Sequence, residues 1–138
     1  MYITGIGLVS ACGRGIKDLD SALKKGWSEP FRKRFTVRGI ESLMPLYLVS
    51  REMMENADGL KKLRRADRIT RMALLAATDA VSDSGVAPGA GEPFGIIMAT
   101  SYGAHTTKFK YKDDIINFGE ENLSPMIFSH VIHNAAVS

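Results

Sequence analysis

Residues Asp67–Ser84 read DRITRMALLAATDAVSDS, and this stretch does most to decide the fold. Its apolar side chains recur every three or four residues, which is typical of a helix with one buried face. They are Ile69, Met72, Ala73, Ala76, Ala77, Ala80 and Val81. Because most of this stripe is alanine, another backbone can come close, so we expect the helix to pack tightly against a helical partner within a layer. Asp67 is suited to cap the helix, and Gly85 is suited to end it.

The sequence before this helix predicts short strands and one further helix. Tyr2–Gly7 (YITGIG) combines β-forming residues with glycine, which is typical of a short buried strand that ends in a tight turn. Apolar residues with helical spacing follow over 16–23, and Gly26 is expected to end that helix. Trp27–Arg38 is basic and irregular, so we expect a surface excursion there. Pro45–Ser50 is a candidate for a second short strand.

The sequence after the central helix predicts a strand and then further helices. Phe94–Thr100 (FGIIMAT) is an apolar, β-branched run of the kind that is buried on both faces of a parallel sheet. Ser101–Ala104 is expected to turn the chain into a helix that ends near Phe118. Ser124 followed by Pro125 is typical of a helix start. This order of strand, helix and strand predicts an α/β layer architecture.

The composition is that of an ordinary soluble globular protein. The chain has 138 residues, 45% of them hydrophobic and 24% charged, which is enough to bury one core. We find no basic and apolar leader at its start, and no apolar run near the roughly 20 residues that span a bilayer. A single cysteine excludes an internal disulfide and is typical of a reducing compartment. We therefore expect a cytoplasmic protein without a membrane partner.

Cys12 is the first candidate for chemistry, because a single intracellular cysteine can act as a nucleophile. Its neighbours along the chain include no base, and small residues surround it. We favour an inert thiol that is buried or half-buried.

Two histidines, His130 and His133, lie three residues apart on a predicted helix and could share a metal ion. A third ligand would have to come from His105, Glu120 or Glu121, and no tight spacing supports one. Structural histidines are therefore the favoured interpretation, and we expect neither a metal nor a cofactor.

Positive charge is concentrated between Lys61 and Arg71, where six cationic side chains accompany one acid, Asp67. One interpretation is a solvated helix start. A second is nucleic-acid binding, which we disfavour because cations near a helix N-terminus oppose its dipole and because no aromatic residues alternate with them. A third is docking of an acidic protein, where the charges would mainly raise the association rate.

Four stretches of the chain carry a resemblance to one family. They are YITGIGLVSACG at Tyr2–Gly13, RRADRITRMALLAATDA at Arg64–Ala80, IIMATSYG at Ile96–Gly103 and SPMIFSHVIHNAAVS at Ser124–Ser138. In order and in spacing they resemble the N-terminal portion of β-ketoacyl-acyl carrier protein synthases, which belong to the thiolase-like superfamily. The resemblance covers nearly the whole chain. It implies a thiolase-like layered α/β fold, in which residues 1–138 are an incomplete N-terminal part of the ketosynthase domain.

The implied reaction is a decarboxylative Claisen condensation of an acyl thioester with malonyl-acyl carrier protein, in fatty acid or polyketide synthesis. In the family, the acylated cysteine follows the position that Asn134 matches, and the two catalytic histidines come later still. Cys12 falls where the family usually has a small residue or proline, and neither His130 nor His133 matches a catalytic histidine. The resemblance therefore implies an acyltransferase segment that has no catalytic residue of its own and is inactive alone.

The resemblance also implies roles for five residues. Lys61, Arg64 and Arg65 match basic positions that face the acidic helix of the acyl carrier protein. Tyr102 matches a position that lines the acyl pocket, where a tyrosine would narrow or close it. Ile127 matches a pocket position that is contributed across a dimer interface.

The implied partners are the acyl carrier protein and a ketosynthase subunit in a homodimer or heterodimer, with no nucleic acid. Two glycines of the family are replaced here by Ala99 and Ser138. These departures keep an alternative open, which is a non-catalytic homologue that resembles a chain-length factor or only binds the carrier protein.

Overall fold

The computed structural model describes residues 2–55, 66–86, 95–123 and 125–131. These residues form a mixed α/β structure with two small antiparallel sheets of two strands each. The elements are β1 Val9–Ser10, β2 Gly13–Arg14, α1 Ile16–Lys25, β3 Phe31–Val37, β4 Ile40–Leu46, α2 Arg51–Glu55, α3 Arg68–Ser84, α4 His105–Phe118, a 3-10 helix Glu120–Asn122 and α5 Pro125–Val131. The described chain divides into two compact units, one from residues 2–55 and 75–86, and the other from the remaining residues.

The central helix α3 begins and ends where its sequence predicts. The Thr70 backbone N–H donates a hydrogen bond of 2.8 Å to Oδ1 of Asp67, which caps the helix. Gly85 follows its last residue with a φ of 66°, a left-handed conformation that suits glycine and stops the helix. Leu75, at the middle of α3, is only 3% exposed although the predicted apolar stripe does not include it. Of that stripe, Ala77 is exposed and the other residues are half-buried.

The close partner of the alanine stripe is the N-terminal segment of the chain. A Cβ atom added to Gly7 would overlap the carbonyl oxygen of Ala76 and lie 2.7 Å from the backbone nitrogen of Ala80. One added to Gly5 would overlap the carbonyl oxygen of Ala80 and lie 2.5 Å from the backbone nitrogen of Ser84. Two glycines and the small side chains of α3 therefore allow two backbones to touch.

The strand predicted over Tyr2–Gly7 is wrong, and within the described residues the backbone that meets the alanine stripe is this segment and not a helix. Residues 2–8 have no regular secondary structure, and the described sheets do not include them. The Ile6 backbone N–H donates a hydrogen bond of 2.9 Å to Oδ2 of Asp83. The Asp83 side chain thus supplies an acceptor that a neighbouring strand would otherwise supply.

A tight hairpin connects this segment to α1. Strands β1 and β2 pair antiparallel around a two-residue turn, and the Gly15 N–H donates 2.8 Å to the Leu8 carbonyl. Gly13 has a φ of 139°, which favours glycine there. Helix α1 then ends as predicted, since the Gly26 N–H donates 3.0 Å to the Ala22 carbonyl.

Strands β3 and β4 form a two-stranded ribbon where the sequence predicted an irregular excursion over Trp27–Arg38. The two strands pair in register from Phe31 with Leu46 to Val37 with Ile40. Arg38 and Gly39 in the connecting turn have φ values of 51° and 78°, which matches the twist of a hairpin. The strand predicted over Pro45–Ser50 overlaps β4 only at its first two residues.

The second unit contains α4 and α5 without the predicted strand. Residues 95–100 have no regular secondary structure, and both described sheets are antiparallel, so the expected parallel strand is not found in the described part of Phe94–Thr100. Within the described part of this unit, no strand is present to pair with this apolar run. Helix α4 ends as predicted at Phe118, where the Gly119 N–H donates 3.0 Å to the Ile115 carbonyl.

Few side chains of the described structure are deeply buried. Met54, Leu75 and Ala104 are the apolar residues with less than a tenth of their surface exposed, at 6%, 3% and 8%. None of the described helices has both the length and the apolar character that crossing a membrane requires.

The glycine contact with α3 predicts the effect of one added methyl group. Gly7→Ala should lower the free energy of unfolding by about 1–3 kcal/mol, because neither backbone can move away without loss of packing. Gly95→Ala is the matched control, since its Cβ would meet nothing within 4 Å and should change stability by less than about 0.5 kcal/mol. Urea unfolding measures both. Equal stability of the two variants would contradict the contact.

Candidate functional site

Cys12 lies in the two-residue turn between β1 and β2, and its thiol is exposed. The expectation of a buried or half-buried thiol is wrong, because a turn of two residues leaves no room to bury a side chain. The hydroxyl oxygen of Ser10 accepts the Cys12 backbone N–H at 3.1 Å and holds the turn in place.

An open hollow of about 450 Å³ lies beside this turn. Cys12, Leu19, Ala22, Leu23 and Tyr47 are among the residues that line it. The lining includes α1 residues from the face that the sequence predicted to be apolar. The arrangement offers a thiol next to an apolar wall, but it does not place that thiol at a helix N-terminus, where a thiolate is stabilised.

The most developed polar arrangement in the first unit joins the hairpin to α3. Arg14 donates two hydrogen bonds to Asp79, from Nε to Oδ2 at 2.7 Å and from Nη2 to Oδ1 at 2.5 Å. The Arg14 backbone N–H also donates 2.8 Å to Oδ2 of Asp18, in the first turn of α1. A bidentate pair of this kind fixes the orientation of the two side chains as well as the distance between them. Arg14 therefore fixes the hairpin against α1 and α3.

The pair changes the ionisation of both partners. The hydrogen bonds from Arg14 hold the pKa of Asp79 below its ordinary value, and partial burial opposes them. The same hydrogen bonds raise the pKa of Arg14, so its guanidinium stays charged. The side chains are 35% and 23% exposed for Arg14 and Asp79, so water screens part of the attraction.

Sequence reasoning missed Arg14, Asp18, Asp79 and Asp83. Arg14 and Asp79 are 65 positions apart, and neither stands out in its own neighbourhood. Asp18 could have been found, since an acid in the first turn of a helix is a common N-terminal signal.

Tyr102, the first predicted pocket residue, is 73% exposed in the turn before α4. Its ring meets the His105 ring edge-on with centroids 5.7 Å apart, and His105 meets Phe109 in the same way at 4.6 Å. These three rings form an aromatic row along α4.

Ile127, the second predicted pocket residue, is half-buried on α5. Helices α4 and α5 contact each other, with the rings of Tyr111 and Phe128 6.2 Å apart. Tyr102 therefore lies in the turn before α4, and Ile127 lies on the neighbouring helix α5.

Three predicted docking residues, Lys61, Arg64 and Arg65, lie outside the described residues, as does His133. His130 lies within α5, although its side chain is not described. In the described part of the chain, no group of three His, Cys, Asp or Glu residues is placed to hold a metal ion.

Comparison with known proteins adds no relative. No family model matches this sequence, and the search of curated proteins gives no significant match.

The Arg14–Asp79 pair predicts a loss of stability in acid. Because the pKa of Asp79 is lower in the folded protein, its contribution is complete above the ordinary value of 3.8 and is lost as the pH falls through the lower folded pKa. Asp79→Asn should cost about 1 kcal/mol at neutral pH, and this difference should shrink below about pH 4.

Urea unfolding of the wild-type chain and Asp79→Asn across this pH range measures the effect. Asp113→Asn, on the exposed side of α4, is the control and should change stability little. A difference between wild type and Asp79→Asn that does not vary with pH would contradict the assignment.

Proposed function

We propose that this chain is the N-terminal segment of a β-ketoacyl-acyl carrier protein synthase, in which it contributes scaffold and carrier-protein docking and does not supply the nucleophile. The proposed reaction of the complete enzyme is the decarboxylative condensation of an acyl thioester with malonyl-acyl carrier protein. The finer fold that goes with this proposal is the thiolase-like layered arrangement.

One observation carries the proposal. Two stretches that resemble the family in sequence, Tyr2–Gly13 and Arg64–Ala80, contact each other through Gly5, Gly7 and the backbone of α3. The glycines and alanines that make the resemblance are the residues that this contact needs. A resemblance by chance would not require motif residues more than 60 positions apart to meet.

The position of Cys12 favours a non-catalytic role for this segment. A thiol that accepts an acyl chain in this kind of reaction is activated by a helix N-terminus or a nearby base. Cys12 is exposed in a β-turn, and its backbone is held by Ser10. In the proposal it is not the acylated residue.

Lys61, Arg64 and Arg65 are the proposed docking residues for the acidic carrier protein. Arg68, which continues the same basic run, is exposed at the start of α3. A cluster of cations along the sequence attracts an acidic partner and raises its association rate. Tyr102 and Ile127 are the proposed lining of the acyl pocket, and a ketosynthase subunit is the proposed dimer partner.

Binding of acyl carrier protein tests the docking role. We expect the full chain to bind fluorescently labelled acyl carrier protein, and the triple variant K61E/R64E/R65E to bind at least about tenfold more weakly, a loss of about 1.4 kcal/mol. The control variant K110E/K112E reverses two exposed charges on α4 and should bind like the wild type. Equal binding by the triple variant and the wild type would remove the docking proposal.

The same mixtures, supplied with acyl thioester and malonyl-acyl carrier protein, test whether the chain is non-catalytic. Mass spectrometry should find no β-ketoacyl product and no acyl group on Cys12. Product formation that disappears in Cys12→Ser would overturn the assignment of a non-catalytic role.

A further inference from the structure

The register of β3 and β4 gives the ribbon two different faces. Residues paired across the ribbon share a face, and successive pairs alternate between faces. One face is formed by Phe31, Lys33, Phe35, Val37, Ile40, Ser42, Met44 and Leu46, and the other by Arg32, Arg34, Thr36, Glu41, Leu43 and Pro45. The first face is therefore apolar at six of its eight positions, while the second carries two arginines and one acid.

The apolar face is largely exposed and ends in an apolar tip. Phe31 is 61% exposed and Met44 50% exposed. Val37 and Ile40, the last pair before the turn, are 64% and 69% exposed. Among the described elements, β3 and β4 make their main contacts with each other. A ribbon of two strands is marginally stable alone in water, so this face favours a covering partner.

Positive charge lies within the apolar face, at its tip and on the opposite face of the ribbon. Residues 31–46 hold four cationic side chains and one acid, Glu41, which lies 3.4 Å from Arg34. Arg38 occupies the turn at the tip. The Lys33 ammonium lies over the Phe35 ring, 5.3 Å from its centre, which is a cation–π contact on the apolar face.

Aromatic residues lie at the base of the ribbon. Trp27 is 78% exposed, and Tyr47 is 59% exposed with its hydroxyl donating 2.8 Å to the Ser28 carbonyl. This hydrogen bond links the segment that enters β3 with the residue that follows β4. Exposed tryptophan and tyrosine beside an apolar surface are typical of residues at a membrane interface.

We propose that the β3–β4 ribbon docks on an acidic phospholipid surface. The apolar face lies against the headgroup region, and Lys33 on that face and Arg38 at its tip contact lipid phosphates. The expectation of no membrane partner rested on the absence of a spanning segment, which does not bear on surface binding.

The chemistry of the ribbon favours lipid over other partners. Val37 and Ile40 cannot stack on bases as aromatic rings do, so the tip is unsuited to single-stranded nucleic acid. A second copy packed face to face would bury Lys33 of each ribbon on a face that holds no acid to pair with it, which costs free energy. An acidic lipid surface satisfies the apolar face and the charges at once.

Vesicle binding by the full chain tests this proposal, with Trp27, the single tryptophan, as the probe. Vesicles that contain phosphatidylglycerol in phosphatidylcholine should sediment with the chain and shift its fluorescence to the blue. Vesicles of phosphatidylcholine alone should bind at least about tenfold more weakly, and salt should weaken binding to the acidic vesicles.

Two variants alter the tip in different ways. V37S/I40S removes the apolar pair and should weaken binding to the acidic vesicles at least about tenfold. R38N removes one charge while keeping a residue that accepts a positive φ, and should weaken it about fivefold. Their matched controls are I97S, which replaces an isoleucine that is 99% exposed outside the ribbon, and K112Q on α4. Both controls should bind like the wild type.

Three results would overturn the proposal. They are no binding to acidic vesicles, equal binding by R38N and K112Q, and a ribbon variant that changes the sedimentation of the lipid-free chain without changing vesicle binding. The last result would identify a second copy as the partner. Far-ultraviolet circular dichroism checks folding, and R38N decides the matter if V37S/I40S does not fold.

Discussion

The backbone of Gly5 and Gly7 lies against the backbone of α3, and the first unit depends on this contact. It leaves no space for a Cβ atom at either glycine, so the position of the N-terminal segment is set by sterics before any side chain is considered. The polar contacts then add direction. Asp83 receives the Ile6 N–H, Asp79 receives the Arg14 guanidinium, and both acids lie on the same helix, four residues apart.

This arrangement places Cys12 at the surface. The N-terminal segment contacts α3 at Gly7, and Arg14 contacts the same helix through Asp79. The β1–β2 turn lies between these two contacts and projects outward. The thiol is therefore exposed for a structural reason. Its location agrees with the proposed scaffold role, since the residues that fix the hairpin act on its backbone and on Arg14.

The elements that the sequence predicted well carry local signals. Helix α3 has an apolar period, a capping Asp67 and a terminal Gly85, and all of these act within one or two turns. Helices α1 and α4 likewise end at Gly26 and Gly119. Local patterns of this kind predict an element without knowledge of what it packs against.

The elements that the sequence predicted poorly lack a clear local signal. Tyr2–Gly7 has the composition of a strand, but its neighbour is a helix more than 60 positions away. The β3–β4 ribbon escaped notice because its arginines and lysine hide the alternation of Phe31, Phe35 and Val37. The pocket residues Tyr102 and Ile127 were predicted from the resemblance alone. Spacing along the chain does not reveal whether the fold brings such residues together.

Nuclear magnetic resonance of the isotopically labelled chain measures the central contact most directly. The contact predicts nuclear Overhauser effects from the Gly5 Hα protons to the Ser84 amide proton and from the Gly7 Hα protons to the Ala80 amide proton. It also predicts slow exchange of the Ile6 amide, which donates to Asp83. A folded chain with an intact α3 that shows neither of these effects would contradict the contact between the glycines and α3.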